Sequence, residues 1–363
     1  MVGIPKEKMI DVPSRKAVTK AGKILVQRHI KNTISLSEWL DAYDTFSKWR
    51  ALHTYPIQTF LSNARRKVRS LGLEKRATIA RRLKRAPSIL AKLQRFPTME
   101  LGRMQDIGGL RIILPTMSDL EKLHRDYVQS ATRKTKHFQH SIGTAKDYIK
   151  NPKDDGYRSL HQVFKYCNKR HPELNGLSIE LQIRTQLQHS WATAVETLGL
   201  LLNSSFKTGR GEEKYKQFFR LCSVAFAYKE KTAIHPDFQK YSEQDIHQQL
   251  KSITQETQVL SRLKGMNIAS RHIEHPKNKN AEYYLIKLDL DKHMLAITPY
   301  TKNQIIEAET AYSALEKEVE KGNNWEVVLV SLSDVKDIKK AYPNYFLDTT
   351  RFVREIEKIT NAI

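Results

Sequence analysis

Apolar residues recur at helical spacing through the first part of the chain. In SLSEWLDAYDTFSKWRALHTY (35–55), Leu36, Trp39, Leu40, Tyr43, Phe46, Trp49 and Leu52 keep the 3.6-residue period of an amphipathic helix. Ser35, followed three positions later by Glu38, opens it with a capping-box pattern. A second helix is predicted over 57–71, with four cations in ARRKVRS. Residues 15–95 as a whole read as helical, with Pro87 in RRLKRAPSILAKL (81–93) breaking the local backbone.

The period then changes. LRIILP (110–115) is a short β-rich run that ends at proline, and SDLEKLHRDYVQ (118–129) reads as a capped helix. HQVFKYC (161–167) and LSIELQIRT (177–185) read as strands, and QLQHSWATAVETLGL (186–200) returns to helix. In the second strand Ile179, Leu181 and Ile183 alternate with Glu180, Gln182 and Arg184, so the apolar set faces a core and the polar set lies on the other face. Strands interleaved with helices predict a mixed α/β sheet. Residues 205–275 are polar and helical in pattern, and HIEHPKNKNAE (272–282) reads as a linker. Beyond it come a hairpin (YYLIKLDL, 283–290; MLAITPY, 294–300), a helix over 303–322 ending in glycine, a strand WEVVLVSL (325–332), and two helices either side of PNYF. That is a small α+β domain without cysteine ligands. The expected division is an N-terminal helical region (1–56), a catalytic domain (57–231), a helical connector (232–275) and a C-terminal domain (276–363).

Charge sharpens this division. The formal charge is +23 over 363 residues, and residues 1–231 hold 44 Lys and Arg against 20 Asp and Glu, whereas residues 232–363 hold 18 against 19. A positive field confined to one part of a chain attracts polyanions such as nucleotides or nucleic acid. The longest apolar runs, such as LGLLL (198–202), are too short to cross a bilayer, and the first residues, MVGIPKEKMI, lack the apolar stretch of a signal peptide. Two cysteines, Cys167 and Cys222, cannot build a disulfide framework or a four-ligand zinc site. Both are expected to be buried thiols of a cytoplasmic protein.

Four stretches carry candidate chemistry. A carboxylate beside an arginine on one face of SIELQIRT can hold a metal ion or activate a hydroxyl, although an ordinary solvated strand face fits the same pattern. In RMQDIGGLRIIL (103–114), Asp106 precedes two glycines and a strand bearing Arg111; an ordinary helix-to-strand turn fits this too. RLKRAPSILAKL places Arg82, Lys84, Arg85 and Lys92 around Ser88, a set suited to a triphosphate because arginine offers a fork and lysine a point charge. KDYIKNPKDDGYRSLH (146–161) sets Tyr157 after a glycine, among cations. An exposed ring there suits stacking on a nucleobase, worth roughly 1–3 kcal/mol.

Taken together and in this order, these stretches resemble the synthetase domain of the RelA/SpoT homologues, the alarmone synthetases, over about residues 60–205. The resemblance implies a nucleotidyltransferase-like α/β (α+β) fold, with a mixed sheet flanked by helices, and magnesium-dependent transfer of the β,γ-pyrophosphate of ATP to a ribose 3′-hydroxyl. It implies that Arg82 and Arg111 sandwich the donor adenine and that Lys84, Ser88 and Lys92 contact donor phosphates, with Pro87 standing where a tyrosine is often found. Asp106 and Glu180 become the catalytic, metal-binding pair, with Glu180 also activating the 3′-hydroxyl. Lys146 and Lys153 become phosphate contacts, Tyr157 the platform for the acceptor base, and His161, Gln182 and Arg184 further acceptor-side positions. About 60 residues precede this region, which predicts a synthetase-only member without the family's hydrolase domain.

Tyr342 and Tyr345, in KKAYPNYF, resemble the YxxY motif of the antitoxin domain of CapRel-type fused toxin–antitoxins, a pseudo-zinc-finger that lacks zinc ligands. This implies a toxic synthetase whose acceptor is the 3′-CCA end of tRNA, autoinhibited through the two tyrosines and released by a phage capsid protein in antiviral defence. Basic clusters such as ARRKVR and TRKTK exceed what one nucleotide needs and suit a phosphate backbone. The alternative implied by the wider family is an alarmone synthetase acting on GDP or GTP, with a regulatory C-terminal domain.

Overall fold

The computed structural model describes residues 11–31, 34–202, 212–269, 281–289, 291–292, 294–323, 325–331 and 349–361. Three helices open the chain: α1 (Arg15–Lys31), α2 (Leu36–Ala51) and α3 (Thr54–Ser70). Ser35 caps α2 by accepting a hydrogen bond from the Glu38 N–H at 3.2 Å. The helical reading of 81–93 is corrected here. Residues Thr78–Leu83 form a strand, β1, and only Ala86–Arg95 are helical, as α4. Pro87 sits in the first turn of α4, where its missing N–H has no intrahelical partner to lose, so it starts the helix instead of breaking it.

Then follow β2 (Gly108–Leu114), α5 (Met117–Arg133), β3 (Ser141–Asp147), β4 (Leu160–Lys165), β5 (Ser178–Thr185) and α6 (Gln186–Leu201). Helices α7 (Glu213–Glu230), α8 (Glu243–Thr257) and α9 (Val259–Ala269) fill the expected helical stretch. The C-terminal part supplies β6 (Ala281–Asp289), β7 (Met294–Thr301), α10 (Ile305–Glu320), β8 (Trp325–Ser331) and α11 (Thr350–Asn361).

All eight described strands join one sheet in the order β3-β4-β5-β2-β1-β8-β6-β7. The β2–β5 pair is parallel and the other neighbours are antiparallel. The C-terminal strands therefore extend the sheet across the boundary drawn from sequence. Among the described residues, the strand pairing that joins them to the rest is Arg81 opposite Ser331.

One core lies between α1–α5 and the central strands, where Ile179, Leu181 and Ile183 are fully buried. A second gathers α6–α9 around α11, whose Phe352 ring lies 5.9–6.2 Å from Phe218, Phe219 and Phe226. The last helix thus leaves the strands it follows and completes a helical layer elsewhere. Cys222 is buried as expected, but Cys167 is exposed, because it lies just past the end of β4 and outside both cores. Among the described residues, no helix is long and apolar enough to cross a membrane.

Candidate active site

The alternation of β5 sets one side of the site. Glu180, Gln182 and Arg184 share a face and hydrogen-bond in sequence: Gln182 Nε2 donates to Glu180 Oε2 at 2.8 Å, and Arg184 Nη2 donates to Gln182 Oε1 at 3.2 Å. Strand register widens this file into a row. Lys146 on β3 pairs with His161 on β4, His161 with Gln182 on β5, and Gln182 with Arg111 on β2. Four predicted site residues from distant segments therefore lie side by side, on one register line. Gly109 pairs with Glu180 one step away. A Cβ at Gly109 would meet the Glu180 carbonyl oxygen at 2.7 Å, so the parallel approach of β2 to β5 needs glycine here.

Asp106 leads into β2 and is met by two lysines. Its Oδ2 accepts from Lys84 Nζ at 3.0 Å and from Lys92 Nζ at 2.8 Å. Burial alone would raise this carboxyl, but the two ammonium groups outweigh it and hold the group at about 2. Lys84, Asp106, Arg111, Glu180 and Gln182 line one pocket of about 20 Å³. The two carboxylates expected to act together thus open on the same small space.

Glu180 has a different setting. Its Oε1 lies 2.9 Å from His161 Nδ1, and His161 Nε2 lies 2.8 Å from the Tyr157 hydroxyl. Burial would raise Glu180, yet His161 and Gln182 hold it below the usual carboxylate range, despite the opposing charge of Asp106. Burial would lower His161, but Tyr157 and Glu180 raise it. Burial would also raise the Tyr157 phenol, but Arg184 and His161 bring it down to about 7. Tyr157, His161 and Glu180 form one proton-sharing chain ending at the pocket.

Tyr157 departs from expectation. Its ring is half-buried, not freely exposed, and packs edge-on to Tyr148 and His161, each with centroids 5.8 Å away. Lys153 Nζ lies over the Tyr148 ring at 4.5 Å and over the Tyr157 ring at 5.2 Å. Arg158, the other basic neighbour, is no phosphate ligand. It is buried, donating to Ser223 Oγ at 3.0 Å and to the Ala233 carbonyl at 2.8 Å, and so ties the loop to α7. Gly156 has φ +88°, and a Cβ there would meet the Ser223 Cβ at 3.0 Å and the Trp191 ring at 3.2 Å. The glycine before the tyrosine is thus required by turn geometry and by close approach to α6 and α7.

The donor side is assembled in part. Lys84 and Lys92 donate to Asp106, and Arg111 lines the same pocket. Ser88 lies in the first turn of α4, half-buried. Arg82 pairs with Gly109 in the sheet, and its side chain lies outside what the structure describes. Tyr342 and Tyr345 also lie outside the described residues. Tyr148, Trp191 and Phe219 were not singled out by sequence reasoning; the first two sit within the quoted motifs, and the third is an ordinary apolar position of α7.

The resemblance implies magnesium, and the residues fit it. Asp106 Oδ1 is buried with no hydrogen-bond partner, while Oδ2 is fully engaged. No group of three or more His, Cys, Asp or Glu suited to a metal occurs among the described residues. Two carboxylates suit magnesium, which takes one or two and fills its shell with water and phosphate oxygens.

Residues 81–198 match the model of a region found in RelA / SpoT proteins. The chain is 34% identical over 119 residues to GTP pyrophosphokinase YjbM of Bacillus subtilis, covering 32% of this chain and 53% of that protein. It is 32% identical over 128 residues to GTP pyrophosphokinase YwaC of the same organism, covering 34% and 58%. The chain thus spans little more than half the length of these curated relatives. Among solved structures, small alarmone synthetase 1 from Bacillus subtilis is similar at 24% identity, covering 52% of this chain and 93% of that one, with a TM-score of 0.41.

Proposed function

We propose that the RelA/SpoT region at residues 81–198 is a pyrophosphokinase that moves the β,γ-pyrophosphoryl group of ATP to a ribose 3′-hydroxyl. One observation carries this reading: Asp106 and Glu180 open on one pocket, each held as a carboxylate by its own set of donors, two lysines for Asp106 and His161 with Gln182 for Glu180. Asp106, locked as an anion by two lysines, is suited to hold a cation. Glu180, held as a carboxylate by His161 and Gln182, faces the same pocket as the group placed to take the hydroxyl proton during transfer. In the transfer the 3′-oxygen attacks the β-phosphorus, the bond from that phosphorus to the α,β-bridging oxygen breaks, and AMP departs. The hydroxyl proton passes to Glu180, which His161 and Gln182 keep in place. Lys84, Lys92 and Arg111 offer positive charge to the triphosphate. Magnesium, held by Asp106 and Glu180, would supply further charge neutralisation.

The names of the curated relatives favour a free guanine nucleotide as acceptor, with an alarmone as product. A second reading, transfer to the 3′-CCA end of tRNA, is favoured by the cation surplus of residues 1–231. Autoinhibition is favoured by where the C-terminal part docks. Arg81 stacks over Tyr283 at 4.6 Å, Arg85 pairs with Glu326, and the Ala86 N–H donates to Glu316 at 2.9 Å. These contacts alternate along the chain with the expected donor residues Arg82, Lys84 and Ser88. Control by Tyr342 and Tyr345, and release by a phage capsid protein, rest on the resemblance alone.

Incubating the full chain with ATP labelled in its β- and γ-phosphates, together with GDP, GTP or tRNA, tests the reading. Label on GDP or GTP supports the first acceptor, label on tRNA the second, and label on none overturns the pyrophosphokinase. Tyr342→Ala is expected to raise the transfer rate; an unchanged rate overturns autoinhibition by that motif.

A further inference from the structure

One half-buried carboxylate takes no part in the transfer itself. Glu230 stands on the last turn of α7, outside residues 81–198 of the family match. It accepts hydrogen bonds from the Thr185 hydroxyl and, at 2.8 Å, from Gln188 Nε2. Burial pushes its carboxyl up, against those two donors and the charges of Arg158 and Arg351. For the buried Arg158, Glu230 is in turn the carboxylate that opposes the cost of leaving water.

The partners of Glu230 are chain neighbours of the site. Thr185 ends β5 and follows Arg184; Arg158 follows Tyr157. Successive side chains of a strand point to opposite faces. On the site face, Arg184 Nη2 donates to the Tyr157 hydroxyl at 3.2 Å, and the guanidinium carbon lies 5.7 Å from the ring centroid. Away from the site, Thr185 bonds to Glu230, and Arg158 lies in the field of the same carboxylate. The end of β5 and the loop are thus joined twice, once by groups of the site and once through Glu230. The Tyr157 hydroxyl reaches Glu180 through His161, so a slip between the two segments would displace that whole chain of contacts.

The last helix closes the arrangement. Arg351, in the first turn of α11, donates to Gln186 Oε1 at 2.6 Å and adds its charge beside Glu230. Lys229, the neighbour of Glu230, pairs with Glu355 of α11. Phe352 packs against three phenylalanines of α7, which fixes the helix that carries Glu230. Arg351 is exposed, whereas Thr185, Gln188 and Arg158 are buried.

We propose that Glu230 is a positioning residue for the transfer: it clamps the end of β5 to the Tyr157–Arg158 turn, and Arg351 of the C-terminal helix completes the clamp. The proposal rests on the pyrophosphokinase reading and adds how helices outside the matched region hold Tyr157 and Arg184 together. Lys84, Lys92 and Asp106 are held by one another, so ATP binding is expected to be independent of the clamp.

The test uses the full chain. Glu230→Gln keeps the shape but removes the charge and turns one of two acceptor oxygens into a donor. Arg351→Met removes a charge from an exposed position. Transfer of β,γ-label from ATP to GDP, GTP or tRNA is expected to fall in kcat about tenfold in Glu230→Gln and about threefold in Arg351→Met, the scale of a small displacement of positioned groups, with the KM for ATP unchanged. The double variant should fall no further than Glu230→Gln alone, because both changes act on one contact. Hydrogen–deuterium exchange reads the clamp without activity: amides of 154–160 should exchange faster in both variants, and those of β2 at the parental rate. Folded Glu230→Gln protein with parental kcat and parental exchange overturns the clamp and leaves the pyrophosphokinase intact. If Glu230→Gln does not fold, Arg351→Met decides by the same two readouts. Losses that multiply in the double variant overturn the part given to Arg351. Faster exchange throughout the sheet, with a raised KM for ATP, would mark a general loss of structure and overturn the positioning role. If the parent labels no acceptor, the pyrophosphokinase reading fails, and exchange at 154–160 still decides whether the clamp exists.

Discussion

The polar face of β5 and the seam where α10 meets α2 and α4 both gather charged side chains, yet they are built in opposite ways. On β5 the partners come from one segment: Glu180, Gln182 and Arg184 are two residues apart and bond to one another. At the seam the partners come from opposite ends of the chain. Glu316 of α10 accepts from Arg50 of α2 at 3.2 Å, across 266 positions, and from the Ala86 N–H across 230. Tyr312 adds a third donor to the same carboxylate at 2.5 Å. A strand writes its own row of functional groups because its period is two. A seam has no such local rule, and its members are found only when the chain is folded.

The two regions are expected to fail differently. The chemistry should fail most steeply on β5. Glu180→Gln keeps the shape and the Gln182 contact but removes the proton acceptor, and should lower turnover about 10²–10⁴-fold with little change in stability. Steady-state rates and a thermal melt check it, and near-parental turnover would remove Glu180 from the catalytic pair.

Stability should fail at the seam. In Glu316→Ala the buried Arg50 guanidinium and the Ala86 N–H both lose their acceptor. Breaking one side of a buried ion pair costs about 3–5 kcal/mol, and urea unfolding should show a loss of that size. Because the Ala86 N–H opens α4, which carries Ser88 and Lys92, donor affinity should shift as well. A loss below about 1 kcal/mol would mean that the seam is solvated and that the comparison with β5 is overdrawn.

A smaller effect tests the link between charge and stability at Asp106. Its carboxyl falls from 3.8 to about 2 in the folded chain, which at 1.36 kcal/mol per unit is about 2 kcal/mol. A depressed carboxylate stabilises the fold above its unfolded value and loses that effect as pH falls through its folded value. Asp106→Asn should therefore be about 2 kcal/mol less stable than the parent at pH 7, and the gap should narrow below about pH 4. Urea melts at pH 7 and pH 3 measure it, and a gap that does not narrow would mean that the lysines are not acting on this charge.

β1 reads as helix because its residues, TIARRL, carry no clean alternation; pairing with β2 on one side and β8 on the other makes it a strand. β3 is an edge strand with most of its residues exposed, so no apolar period marks it in the sequence. Tyr157 was expected to be exposed because a glycine precedes it, but that glycine serves to bring the loop down onto Ser223 and Trp191. Arg158, one of the cations around the tyrosine, is buried against α7.

Spacing along the chain was enough to specify the polar file on β5, the cap of α2 and the hairpin of β6 and β7. Each depends on a period or a turn within a few residues, and such short-range geometry is carried by the local sequence. Which cations meet Asp106, which ring backs Tyr157, and which carboxylate closes the seam follow from long-range packing. Those pairings join residues many positions apart, and a linear pattern carries no record of which distant side chains burial will bring together.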